Sequence, residues 1–338
     1  MTRYLPYRLN IERCFNLLRK AGKLKATKKD RDLNGVREAM SFVYTNHPEI
    51  MNTLEPSFHA EEYFWANRSR VAYFLENLDL AEGLMRGSYK IHDPMTLIGG
   101  DTDSFMLMLP KGLKVASDFP VEGGLLVSIM PLEYRQKILF GDFFKWMGLG
   151  EPEVSIPDGM MQDFTIAINY QVDPTLFAYS RLVLPSSNFS KVIGINSPAE
   201  YAEFMNSQNQ MEGMEGYVPL TEKECEAQFY LFKLVCGFLV YRQCMPDRIV
   251  EGFPAGLNRF ETMTPVTSST VPLVVSGPKD DRKETSGKVS HYRSWYFRQL
   301  MDDRYYKGEH SAKPKGSRVV FVRDTYIGAD IEPETVVE

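Results

Sequence analysis

The sequence lacks the features that mark membrane and secreted proteins. Its longest apolar runs, such as Leu231–Tyr241, are too short to span a bilayer, and this one contains Lys233. The first 30 residues are basic but have no continuous apolar stretch, so we expect no signal peptide. The four cysteines form no Cys-x-x-Cys pair, which favours reduced thiols over a disulfide framework. These absences predict a protein of the cytoplasm with no membrane partner.

The motifs of the common nucleotide-dependent enzymes and hydrolases are also missing. The sequence has no GxxxxGK[ST] or GxGxxG phosphate loop, no GxSxG elbow and no HExxH pair. Its five histidines are scattered, and none makes a local pair at metal-ligand spacing. We therefore expect neither a bound metal nor a small-molecule cofactor. Catalytic activity stays open, but binding is favoured.

One short motif contains carboxylates that are candidate catalytic residues. Residues 100–104, Gly-Asp-Thr-Asp-Ser, resemble the carboxylate turn with which family B DNA polymerases hold magnesium. The third carboxylate and the nucleotide-binding helix of such an enzyme are absent, which favours a polar turn that leads into a strand. A metal-dependent nuclease that uses Asp101 and Asp103, or His291, stays an alternative.

Charge is distributed unevenly along the chain. The overall net charge is −5, yet residues 1–30 carry +7 and residues 279–326 carry +5. The body between them, residues 31–278, carries −13, and the last 12 residues carry −4. Basic ends suit an anionic partner such as RNA, or they dock on the acidic body. The acidic body could also occupy a basic nucleic-acid channel of another protein.

Periodicity predicts an α+β fold: a helical N-terminal region, a mainly antiparallel central sheet packed by helices, and a small basic C-terminal β module. Few connections between the strands are long enough for crossover helices, which favours antiparallel pairing. The strand at 164–172 alternates in the manner of a half-buried strand, and the helix at 221–244 is apolar on most sides, as in a buried central helix. Helices are predicted at 8–24, 32–46, 57–86, 136–148, 198–211 and 221–244, and strands at 104–109, 114–117, 124–130, 164–172, 176–184 and 318–322.

Composition divides the chain into four parts. Residues 1–261 are the α+β body with its N-terminal helices, and residues 262–289 have the Ser, Thr, Gly and Lys content of a linker. One strand-like patch, Val271–Val275, interrupts this linker. Residues 290–328 form the basic aromatic C-terminal module, and residues 329–338 are an acidic tail.

The C-terminal module holds the strongest constellation of binding residues. Residues 291–307 interleave six aromatic side chains with basic ones. Single-stranded nucleic acid needs this mixture, because aromatic faces stack on bases and guanidinium groups neutralise phosphates or stack themselves. The candidate nucleic-acid-binding residues are His291, Arg293, Trp295, Tyr296, Arg298, Arg304, Lys307 and Arg318.

Two arrangements of these residues are possible. If residues 292–298 form one extended strand, four alternate side chains share a face, namely those of His291, Arg293, Trp295 and Phe297. In the other arrangement the rings of Trp295, Phe297 and Phe321 form the core of the module. The arginines are then solvated or paired with acids, namely Asp302, Asp303 and Asp324. Both arrangements are compatible if one face of the module packs in the core and the other face contacts a ligand.

The same segment resembles a family of anti-CRISPR proteins, the second-described type V-A inhibitor with its phage and plasmid relatives. Members end in a His-x-Arg-x-Gly-His-Trp segment followed by a loop and a closing strand. The matching residues are His291–Phe297 and the strand 318–328. Two further stretches are similar: Asp101–Pro110, and the apolar helix 231–244 that runs into Pro246-Asp247. Here Trp295 replaces the family's Gly and Tyr296 replaces its second His, whereas Phe297 keeps an aromatic ring.

The resemblance implies a phage or mobile-element protein that acts against host defence. The family's inhibitor resembles a translation-coupled regulator that lowers production of the type V-A Cas effector by acting on its messenger during translation. We therefore expect RNA or a ribosome-associated target as partner, with a host defence protein as the second possibility. The residues alone leave three functions open, which are RNA binding, protein–protein inhibition through the acidic body, and metal-dependent nuclease activity.

Overall fold

A computed structural model gives the fold of the chain. It describes residues 4–5, 17–22, 42–43, 45–46, 61, 64, 70–87, 89–90, 103–116, 124–131, 164–173, 178–185, 191–211, 221–255, 270–278, 289–293, 296–322 and 325–329. No helix within these residues is long and apolar enough to cross a membrane.

The fold is α+β, as the sequence predicts. Its main helices are α1 (Leu78–Arg86), α2 (Pro198–Met211) and α3 (Glu222–Cys244). Its strands are β1 (Tyr4–Leu5), β2 (Val71–Leu75), β3 (Tyr89–Lys90), β4 (Asp103–Pro110), β5 (Leu125–Pro131), β6 (Phe164–Asp173), β7 (Ala178–Pro185), β8 (Ile249–Glu251), β9 (Val271–Val275), β10 (Val289–Arg293), β11 (Tyr296–Gln299), β12 (Val319–Val322) and β13 (Thr325–Ala329). Residues described as helical also occur at 17–20, 42–43, 45–46, 61 and 64, in the region where N-terminal helices were predicted.

The described strands form one large sheet and two small ones. The large sheet has the order β7-β6-β5-β4-β2-β9-β8, with β1 pairing to β4 off this path. Its pairings are antiparallel except on the two sides of β2, which runs parallel to β4 and to β9. The mainly antiparallel sheet is therefore as expected, but its centre is parallel. The small sheets are β10-β13 and β12-β11-β3.

Helix α3 is the central element of the fold, which explains why it is apolar on most sides. Thr221 caps its first turn in a reciprocal capping box with Glu224. Along its length α3 packs against α1, α2 and the small C-terminal sheet. Phe238 contacts the large sheet through the rings of Tyr73 and Phe105, at centroid distances of 4.7 and 5.4 Å. The prediction of a buried central helix is confirmed.

The strand β2 corrects the predicted helix at 57–86. Residues 61 and 64 are helical, but residues 71–75 form a strand before α1 begins at Leu78. A strand with parallel neighbours on both sides is buried on both faces, so it reads as a continuous apolar run without a period of two. Such a run, Val-Ala-Tyr-Phe-Leu, cannot be told from buried helix by periodicity.

Two further predictions about strands are corrected. The predicted strand at 114–117 is not a strand over its described residues, of which 114 is irregular and 115–116 form a bend. The strand β6 is not half-buried: Ile166, Ile168 and Tyr170 belong to the main core, but Ala167 and Asn169 between them are buried as well. The sheet is therefore covered on both of its faces at β6. The predicted helix at 136–148 and the acidic tail from residue 330 onward lie outside the described residues.

The predicted linker contributes to the body. The strand-like patch Val271–Val275 is β9, which lies between β2 and β8 inside the large sheet. Val275 is fully buried, and Tyr241 of α3 donates a hydrogen bond of 2.6 Å to the carbonyl of Ser276. This part of residues 262–289 is thus not a free connection, because its backbone completes the sheet.

Candidate nucleic-acid interface

The C-terminal module is attached to the body by one face of the sheet β12-β11-β3. Phe297 is fully buried, and its ring lies 5.6 Å from that of Phe321 and 6.3 Å from that of Tyr241 on α3. Val319 accepts a hydrogen bond of 3.0 Å from the Cys244 thiol at its backbone carbonyl. One face of β11 and β12 therefore belongs to the main hydrophobic core.

The other face of this sheet points away from the core. Side chains alternate along a strand, so Tyr296 and Arg298 lie opposite to Phe297. Register pairs Tyr296 with Val322 and Arg298 with Val320, which places these four residues on one face. Arg298 is exposed, and the others are half-buried. We call Tyr296, Arg298, Val320 and Val322 the outer face.

Of the two possible arrangements, the single extended strand over residues 292–298 is not the one that the described residues form. The chain forms two strands in two different sheets, β10 ending at Arg293 and β11 beginning at Tyr296. In β10, His291 is the register partner of Ile327 and Arg293 that of Thr325. Phe297 lies in the core, and it belongs to a different sheet from His291 and Arg293. Trp295 lies outside the described residues.

A compact turn segment, residues 300–318, connects β11 to β12, and the Tyr306 hydroxyl makes three hydrogen bonds within it. The Tyr306 hydroxyl donates to the carbonyl of Leu300 at 2.6 Å. It accepts from the backbone N–H of Gly316 at 2.7 Å and from that of Arg318 at 3.2 Å. Gly316 has a φ of +86°, and a Cβ there would lie 3.2 Å from the Met301 sulfur, so this position requires glycine.

Arg304 lies at the exposed end of this segment on the 3-10 turn Asp303–Tyr305. Its Nη2 donates a hydrogen bond of 2.7 Å to the Tyr305 hydroxyl, and its Cζ lies 4.7 Å from the centre of that ring. Its Nε is 3.6 Å from a carboxylate oxygen of Asp302. Arg318 donates to the Tyr305 carbonyl at 2.5 Å, which fixes the turn from the other side.

Within the described part of the chain, the turn segment and β11 present three exposed cations that make no ion pair. Residues 298–318 carry six basic and three acidic side chains, net +3. Lys315 pairs with Asp303 at 2.8 Å, which lowers the pKa of Asp303 and raises the pKa of Lys315. Arg298, Lys307 and Lys313 are exposed and make no ion pair with another described residue. Their positive charge is available to an anionic ligand.

The predicted site residues lie in different environments. Arg298 is on the outer face beside Tyr296, Arg304 and Lys307 are on the turn segment, and Arg318 turns inward to hold that segment. His291 and Arg293 belong to the separate sheet β10-β13. The expected pairing of arginines with acids is observed for Arg304 and Asp302. The expected core packing is observed for Phe297 with Phe321.

Three residues of the turn segment were not predicted as site residues, namely Tyr305, Tyr306 and Lys313. The two tyrosines were counted among the interleaved aromatics, but nothing local distinguishes a tyrosine that holds a loop from one that faces solvent. A buried tyrosine hydroxyl needs a partner, and the partners of Tyr306 lie six to twelve residues away. Lys313 falls beyond the aromatic stretch 291–307, so the interleaved pattern does not include it.

The structure adds nothing to the candidate nuclease site. Asp103 is the first residue of β4 and pairs in register with Ile129, whereas Asp101 lies outside the described residues. No group of His, Cys, Asp and Glu within the described part of the chain could hold a metal ion.

Comparison with known proteins adds no further assignment. No protein-family model, curated protein or solved structure matches the chain. The geometry of the C-terminal module is therefore the basis on which a function can be proposed.

Proposed function

We propose that the chain is an RNA-binding protein and that its C-terminal module is the binding surface. The main observation that supports this proposal is that one face of β11 is buried and the other is not. One face is fixed in the core through Phe297, while the outer face and the adjoining turn segment present exposed cations beside aromatic rings. Cations next to half-buried rings match the chemistry of a flexible polyanion with unpaired bases.

The cations favour RNA contact because Arg298, Lys307 and Lys313 make no ion pair with a described residue. Arg298, Lys307 and Lys313 would have to be paired with acids if their role were only to dock the module on the acidic body. Instead, the module is docked by apolar packing and a hydrogen bond to its backbone around Tyr241 and Cys244. A fixed scaffold that displays exposed positive charge is typical of surfaces that bind nucleic acid.

The biological role that we propose follows the resemblance to the anti-CRISPR family. In this proposal the protein acts in the host cytoplasm, on RNA or on a ribosome-associated target, and lowers production of a defence effector. The proposal requires no catalytic group and no cofactor.

The test is RNA binding by a triple variant, Arg298→Ala with Lys307→Ala and Lys313→Ala. We expect weaker binding of single-stranded RNA at low salt. The slope of log affinity against log salt should become shallower by about 2, roughly 0.7 for each phosphate that is no longer neutralised. The matched control is Lys111→Ala with Lys114→Ala and Lys191→Ala, which removes the same charge from exposed positions of the body. Equal affinity and slope for the two triple variants would contradict the proposal.

A pull-down from host cells separates this function from inhibition through the acidic body. Captured RNA or ribosomes that disappear after RNase treatment would support RNA binding. A stoichiometric host protein that survives RNase, and that the triple variant still captures, would contradict it and favour the acidic body as the binding surface.

A further inference from the structure

Resting on the proposed function, we propose that Arg304 is a base-stacking residue rather than a phosphate contact. Together with Tyr305 and Asp302 it forms a platform on the turn segment for one unpaired base. This assigns a specific chemistry to the site: it would select single-stranded RNA over duplex RNA.

The first support is the geometry of the guanidinium group. An exposed arginine ordinarily samples many rotamers, but Arg304 is held by the Tyr305 hydroxyl, the Tyr305 ring and the Asp302 carboxylate. Its side chain nevertheless remains 63% exposed. A planar cation that is fixed by contacts and still open to solvent can receive a second planar group.

The second support is charge compensation. Asp302 lies 3.6 Å from the Arg304 Nε, and its other oxygen accepts a 3.0 Å hydrogen bond from the Arg304 backbone N–H. A phosphate brought to Arg304 would be repelled by this carboxylate, whereas a neutral base would not. The neighbouring Lys307 is exposed and makes no ion pair with a described residue, so it is better suited to the phosphate.

The third support is that the platform is already ordered. Arg318 holds the Tyr305 carbonyl, and the Tyr306 hydroxyl ties the start of the segment to its end. Binding would therefore not have to order the turn, which reduces its entropic cost. Bases inside an RNA duplex are stacked on each other and offer no free face, so the platform fits only an unpaired base.

The decisive variant is Arg304→Lys, which keeps the charge but removes the planar group. We expect its affinity for a single-stranded oligoadenylate to fall about ten-fold, with an unchanged salt slope. Tyr305→Leu should have a similar effect, whereas Tyr305→Phe, which keeps the ring, should have a smaller one. Arg86→Lys on α1 is the control for an arginine–lysine exchange outside the module, since Arg86 is exposed and its Cζ lies 5.0 Å from the centre of the Tyr230 ring; we expect it to bind as the unmodified protein does.

A 2-aminopurine base in the same oligonucleotide reports stacking directly. Its fluorescence should be quenched on binding to the unmodified protein and much less on binding to Arg304→Lys. If Arg304→Lys bound with the affinity of the unmodified protein, or if the fluorescence in the unmodified complex were not quenched, the base-stacking proposal would be wrong. The proposal that the protein binds RNA would not be affected. Absence of RNA binding by the unmodified protein would overturn both proposals.

Discussion

Among single residues, Tyr306 shows how one side chain organises a charged segment. Its hydroxyl satisfies one backbone acceptor and two backbone donors that are separated by up to eighteen residues, from Leu300 to Arg318. Together with the Arg318 side chain, which donates to the Tyr305 carbonyl, it fixes the segment that carries Arg304 and Lys307. The tyrosine therefore links the local turn chemistry to the site.

We expect Tyr306→Phe to lower the free energy of unfolding by about 1–3 kcal/mol, because two part-buried N–H groups lose their acceptor. Urea unfolding followed by circular dichroism measures the change. Tyr305→Phe is the matched control, since its hydroxyl only accepts a hydrogen bond from an exposed arginine. Similar unfolding midpoints for the two variants would show that the hydroxyl of Tyr306 does not hold the segment.

A second residue, Cys244, makes stability depend on pH. Burial raises the pKa of its thiol from an ordinary 9.0 to about 12. Between these values the unfolded chain releases the proton and the folded chain keeps it. The contribution of this thiol to stability is therefore complete below pH 9.0 and is lost as pH rises towards 12.

Alkylation tests this directly on the peptide that contains Cys244. We expect iodoacetamide at about pH 9 to label this thiol slowly in the folded protein and rapidly after denaturation, since only the thiolate reacts. Mass spectrometry of the digested protein gives the two rates. Equal rates in the folded and denatured chains would mean that the thiol is not buried against β12.

Among helices and strands, the sequence predicts the elements better than it predicts which face of each is buried. Helix α3 and strands β4 to β7 are recognised because their apolar patterns are long and turn residues bound them. The strand β2 is missed because both of its faces are buried. The strands β10 and β11 are not predicted as separate elements, because nothing local in residues 291–298 marks where one strand ends and the next begins.

The two faces of β11 lead to opposite expectations for adjacent residues. Phe297→Ala should cost about 3–5 kcal/mol of stability, because it opens a cavity between α3 and Phe321. Arg298→Ala should stay within about 0.5 kcal/mol, because its side chain is exposed. Chemical denaturation of both variants gives the comparison. A large loss of stability for Arg298→Ala with a small loss for Phe297→Ala would mean that Arg298, and not Phe297, faces the core.

In the molecule as a whole, the described part of the C-terminal module packs on the body. Its strand β11 pairs with β3 of the body, its rings pack on Tyr241, and β9 lies inside the large sheet. The proposed binding surface is thus packed against the core. RNA bound there would be held at a fixed position relative to the acidic body.

Truncation tests this connection. A chain that ends at residue 288 lacks β10 to β13, and we expect a lower melting temperature because Tyr241 and the end of α3 lose their apolar cover. A chain that ends at residue 329 keeps all four strands and serves as the control. An unchanged melting temperature for the shorter chain would show that the body folds independently of the module.

The α+β class, the buried helix α3, most strands of the large sheet and the basic aromatic character of the C-terminal end can be predicted from the amino-acid sequence alone. They follow from periodicity and composition, which are local properties. Three features required the folded chain: β2 is a strand, β9 belongs to the sheet, and Phe297 faces the core while Arg298 does not. The folded chain was also required to show which basic side chains form ion pairs with acidic ones. Each of these depends on contacts between residues far apart in the chain, and local patterns do not record such contacts.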